Sequence, residues 1–133
     1  MIPTREVAEL GRAEDILKVR QRARALALEA GFGLVDQTKI VTAVSELARN
    51  TVTHGGGGTA TFELLEEGGR RGLRIAFHDE GPGIADVELA LRDGYTTCGG
   101  LGLGLGGSRR LMTDFEIVTS PGKGTTVTIA RWR

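Results

Sequence analysis

Two pairs of strand-like segments, each joined by a very short turn, most constrain how this chain can fold. TATFELLE (59–66) and GLRIAFHDE (72–80) are joined by the turn EGGRRG, and DFEIVTS (114–120) and TTVTIARW (125–132) by PGKG (121–124). Parallel neighbours need a crossover of roughly a dozen residues or more, so each pair must be an antiparallel hairpin. TREVAEL (4–10) adds a short edge strand. Between these lie helical patterns. From Glu14 to Ala30, the residues Ile16, Val19, Ala23, Leu26, Ala27 and Ala30 recur at helical spacing, and Gly31 stops the run. A second helix is predicted from about Val35 to Thr53, with Asp36 as its start residue and Ile40, Val44, Leu47 and Thr51 as its apolar stripe. Gly55–Gly58 ends it. Residues 85–92 read as a short helix, 94–102 as a glycine-rich loop, and Leu103–Met112 as a further helix. Helices with one apolar stripe each must share one face of the sheet. The expected fold is therefore α/β, a two-layer sandwich with a mixed, mostly antiparallel sheet.

Composition narrows the function classes. A length of 133 residues suits a single domain spanning 1–133. Seventeen basic residues balance 17 acidic ones, which argues against bulk binding to nucleic acid or to a membrane. The single cysteine, Cys98, excludes an internal disulfide and fits a cytoplasmic setting. MIPTREVAEL does not read as a signal peptide, and no apolar run approaches a membrane span. The 21 glycines are clustered, so they mark particular loops.

Three stretches carry chemistry. In SELARN, Glu46 and Asn50 stand at i and i+4 and share a helix face beside the apolar stripe. An Asn carbonyl is a hard-oxygen ligand suited to Mg²⁺, and a carboxylate one turn away can orient or deprotonate a nucleophile. The same pair also fits an ordinary polar helix edge. In HDEGPGI, Asp79 ends a strand, and Gly81 and Gly83 flank Pro82 in a tight turn. That turn leaves room for a flat ring beside a carboxylate that can accept from an exocyclic amine; an Asx-capped turn is the plainer alternative. In GGLGLGLGGSRRL, glycine fills every second position from Gly100 to Gly106 and the run then turns helical. A dinucleotide fingerprint would need a preceding strand in a βαβ unit, and a P-loop would need GK[ST]; neither is present. What remains is a glycine loop feeding a helix start, where backbone N–H groups can hold phosphate. On the first helix, Lys18, Arg20, Arg22 and Arg24 form either a solvated face or a docking surface for an acidic partner.

Taken together, E46-x-x-x-N50, D79-x-G81-x-G83, G102-x-G104-x-G106 and G124-T125 resemble the nucleotide-binding boxes of the GHKL ATPase superfamily. The resemblance implies the Bergerat sandwich, with ATP beneath a glycine-rich lid. No phospho-acceptor histidine helix and no transducer domain accompany the boxes. TAVSELARN, EAGFGLVDQ and SRRLMTDFEI are similar to the switch serine/threonine kinases of the stressosome type. The resemblance implies MgATP as cofactor, with Asn50 on the metal, Glu46 as base and Asp79 on the adenine amine. Gly81 and Gly83 would shape that pocket, and Thr125 would sit near Asp79. Gly99, Gly100, Leu101, Gly102, Leu103, Gly104 and Gly106 would line the triphosphate. It further implies a STAS-domain protein as substrate, Arg20 near that partner and the γ-phosphate, and release of the kinase to a metal-dependent phosphatase or other output protein; the clustered charge of Arg20, Arg22 and Arg24 suggests the docking face. An anti-sigma factor with kinase activity, and a nucleotide-gated binding module without catalysis, remain as alternatives.

Overall fold

A computed structural model of the chain describes residues 5–84 and 105–133. In chain order the elements are β1 (Arg5–Leu10), α1 (Ala13–Glu29), α2 (Leu34–Thr53), β2 (Gly58–Glu67), β3 (Arg70–Asp79), α3 (Leu105–Leu111), β4 (Asp114–Thr119) and β5 (Thr125–Trp132). The strands form one sheet in the order β1-β2-β3-β5-β4. Both expected hairpins are present, and every pairing among the described residues is antiparallel. The helix expected at 85–92 and the loop expected at 94–102 lie outside the described residues. So do Gly99, Gly100, Leu101, Gly102, Leu103 and Gly104.

The strand alternation decides which face is covered. Ala60 and Phe62 on β2, Leu73, Ile75 and Phe77 on β3, and Val127 and Ile129 on β5 meet the α1 and α2 stripes in one apolar core. Ile40, Val44, Ile75 and Ile129 have no exposed surface. Burying a side chain of that size stabilises by about 1.5–3 kcal/mol. The helices thus lie on one side of the sheet, as the sequence predicts.

Local chemistry sets the helix ends. Asp15 Oδ2 reaches back from the first turn of α1 to accept from the N–H groups of Gly11 and Arg12, at 2.9 and 3.0 Å. These bonds hold the Asp15 carboxyl below its usual range. Gly31, at φ 93°, ends α1. Asp36 is not the start residue of α2: Gly33 caps the helix, and Asp36 stands in its first turn. There its Oδ1 accepts from Arg131 of β5 at 2.8 Å. The same guanidinium donates to the carbonyl of Leu111, the last residue of α3. Arg131 thus joins an acid at the positive end of one helix to the negative end of another.

Candidate active site

The second half of α2 forms one wall of a cavity whose floor is the end of β3 and the start of β5. Leu47, Asn50, Asp79, Ile84, Leu105 and Thr125 are among the residues lining it. Asp79 is the terminal residue of β3 and is only 6% exposed. Strand register places Thr125 directly opposite it on β5. Asp79 Oδ1 accepts from the N–H of Gly81 at 2.9 Å, so the turn fixes the carboxylate as the Asx reading expected.

The space around Asp79 depends on missing side chains. A Cβ on Gly55, just past the end of α2, would lie 2.6 Å from Asp79 Oδ2. A Cβ on Gly81 would press against Gly55 at 2.7 Å. Gly124, at φ 82°, faces the Asp79 carbonyl so closely that any side chain would collide with it. The carboxylate is thus held in a glycine cradle at the cavity floor. Gly83, at φ 76°, lies past the turn, and its carbonyl is 3.3 Å from His54 Nε2.

Glu46 and Asn50 share one side of α2, and both are half-buried. Glu46 Oε1 accepts from Arg49 Nη1 at 2.9 Å on the same helix. Gly106 lies buried within α3, and the Oγ of Ser108, two residues on, has no hydrogen-bond partner among the described residues. On the basic face of α1, Arg20, Arg22 and Arg24 are all exposed. Arg22 also binds Glu6 of β1, with Nε 2.7 Å from Oε2, and so ties β1 to α1.

Several site residues escaped the sequence reading. Gly55 reads in the sequence only as part of a helix stop. Thr119 and His54 lie in no motif, and Ile84 and Leu105 stand within motif stretches without a role of their own. Thr119 accepts from the N–H of Ile84 at 2.9 Å and meets Thr125 Oγ1 at 2.8 Å. No signal short of the β4–β5 register could have found it.

Residues 35–133, from α2 through β5, match the family described as the histidine kinase-, DNA gyrase B- and HSP90-like ATPases. The chain belongs to that ATPase family. Among related family members, the serine/threonine-protein kinase RsbT of Bacillus subtilis is 45% identical over 118 residues, 89% of each chain. An anti-sigma F factor of Thermoanaerobacter is 29% identical over 133 residues, covering 96% of this chain and 92% of its own. A crystal structure of the RsbU and RsbW domains of a Mycobacterium tuberculosis protein shares the fold, with a TM-score of 0.63 at 21% identity. All of this chain aligns to it, spanning 33% of that longer chain. Within the ATPase family, the chain is an ATP-dependent serine/threonine kinase of the partner-switching class. No helix among the described residues is long and apolar enough to cross a membrane.

Proposed function

We propose that the chain transfers the γ-phosphoryl group of MgATP to a serine or threonine hydroxyl on a STAS-domain protein in the cytoplasm. The observation that carries this reading is the buried Asp79, set in its glycine cradle beside Thr125 and across the cavity from Asn50. Asp79 accepts from the adenine amine, and Gly81 and Gly83 shape the turn beneath the ring.

No cluster of three acidic, His or Cys side chains that could hold a metal exists among the described residues. That donor set still fits Mg²⁺, which is commonly held by one or two protein oxygens together with phosphates and water. The Asn50 amide oxygen is the protein ligand in this reading, and the ion supplies charge neutralisation at the phosphates. Gly106 and the glycines from Gly99 to Gly104 line the triphosphate. The acceptor oxygen bonds to the γ-phosphorus as the bridging P–O bond breaks and ADP leaves. Glu46 takes the hydroxyl proton. Such transfer needs mostly positioning and charge neutralisation. The whole span acts as one kinase unit, and Arg20 and Arg24 on the exposed side of α1 contact the partner. After transfer the kinase is released to an output protein, of which a metal-dependent phosphatase is one type.

The test is transfer of radiolabelled phosphate from ATP to the cognate STAS protein, followed by mapping of the modified residue. Label on a serine or threonine supports the reading, and its absence with a folded partner opposes it. The contact between Glu46 and Arg49 favours one second reading, in which the paired carboxylate performs no base chemistry and ATP only gates partner affinity. In that case ATP would alter partner binding without label transfer.

A further inference from the structure

One hydroxyl behind the cavity floor decides the direction of a hydrogen bond in front of it. Thr119 closes β4 opposite Thr125, the first residue of β5. Its Oγ1 makes three contacts: it accepts from the N–H of Ile84 at 2.9 Å, lies 3.1 Å from the carbonyl oxygen of Gly124, and lies 2.8 Å from Thr125 Oγ1. A hydroxyl has one proton and two lone pairs. The Gly124 carbonyl can only accept, so the Thr119 proton goes there. The Ile84 amide uses one lone pair. The remaining lone pair can only receive the proton of Thr125. All three contacts are satisfied by this arrangement and by no other.

Thr125 therefore gives its proton away from the cavity that it lines and keeps only lone pairs for a ligand. Beside it, Asp79 is an acceptor at both oxygens, one of them already taking the Gly81 N–H. Among the described residues, the floor formed by Asp79 and Thr125 offers acceptors and no side-chain donor. We propose that Thr119 is a specificity-determining residue, which holds Thr125 as an acceptor and so makes the floor select an amino-purine edge over an oxo-purine edge. This rests on reading the Asp79 cavity as the base site. A carbonyl placed against two acceptors would be buried without a partner, and unpaired polar groups give sharper discrimination than shape alone.

The experiment compares ATP with ITP, which differ at this edge alone, by calorimetry on the whole chain. Wild type should prefer ATP. Thr119→Val keeps the shape but frees the Thr125 proton to turn toward the ligand. The ATP-to-ITP affinity ratio should fall at least about tenfold, while Thr119→Ser should keep the wild-type ratio. A merely structural role would weaken both nucleotides alike and leave the ratio unchanged, and that result would overturn the proposal. If Thr119→Val does not fold, Thr119→Ala removes the same hydroxyl without adding bulk and is read in the same way. Equal binding of ATP and ITP by wild type would overturn the base-site reading itself. A wild-type preference that survives loss of the Thr119 hydroxyl would overturn only the role of Thr119.

Discussion

Gly55 and Asp79 stand so close that a methyl group on the glycine would lie 2.6 Å from the carboxylate Oδ2. The end of α2 therefore packs directly against the end of β3. Gly55→Ala should displace it and weaken ATP binding. Asp79→Ala should cost roughly 1–3 kcal/mol, the worth of a buried hydrogen-bonding group, and Gly55→Ala a similar amount. Calorimetry of both variants checks this. Unchanged affinity in Gly55→Ala would show that Asp79 does not read the base from its observed position.

Glu46 and Asn50 should fail differently although they share a helix side. Asn50→Ala should weaken Mg²⁺-dependent nucleotide binding together with transfer. Glu46→Gln should keep nucleotide binding and lower transfer by ~10²–10⁴-fold, with the lower end expected because phosphoryl transfer leans little on base catalysis. Arg49→Ala removes the contact at Glu46 Oε1 and separates the two readings of that carboxylate. Transfer by Arg49→Ala should equal or exceed wild type if Glu46 is the base. Wild-type transfer by Glu46→Gln would make Glu46 structural.

Acid should loosen the β1–α1 corner. The hydrogen bond from Arg22 holds the Glu6 carboxyl below its usual range, and the Gly11 and Arg12 N–H groups do the same for Asp15. Both groups bind fewer protons folded than unfolded. Their contribution is therefore present above the ordinary carboxylate range and is lost as pH falls through that range to their lowered values. Glu6→Gln and Asp15→Asn should lower the urea midpoint near neutrality. The gap from wild type should narrow as pH falls below the ordinary carboxylate range. A gap that persists in acid would mean these carboxylates act through packing rather than charge.

Arg131 should matter more for stability than its place near the end of β5 suggests. Arg131→Met leaves the Leu111 carbonyl and Asp36 without this donor, at a cost of roughly 1–3 kcal/mol. Asp36→Asn alone should cost less, because Asp36 is the more exposed partner. Urea unfolding of both single variants and the double variant should show non-additivity of about 0.5 kcal/mol or more. Strict additivity would mean the two side chains do not act as a pair.

Much of the fold could be read from local signals. The two hairpins follow from turn length, and β5 begins and ends where the alternation of TTVTIARW places it. The helices follow from apolar spacing, with ends off by one residue at Ala13 and Leu34. Asn50, Asp79 and Thr125 were legible because each sits in a short motif. Thr119, Gly55 and Arg131 were not, because their roles depend on contacts between distant segments. Arg131 and Asp36 are 95 residues apart. The Arg22–Glu6 pair was not legible either, because a helical charge row looks the same whether or not a neighbouring strand bears a partner acid.

The strand order also dictates when the site can come into being. β4 precedes β5 in the chain, yet among the described residues its only sheet neighbour is β5, which lies between it and β3. A nascent chain emerging from the ribosome as far as β4 would hold Asp79 without Thr125, and α3 without the Arg131 tether. It would also expose two strand edges at once, at β3 and at β4, where unwanted pairing can begin. Eight residues, Thr125–Trp132, close both edges and complete the pocket floor in one step. A ligand seated on both Asp79 and Thr125 therefore requires β5 to be paired with β3.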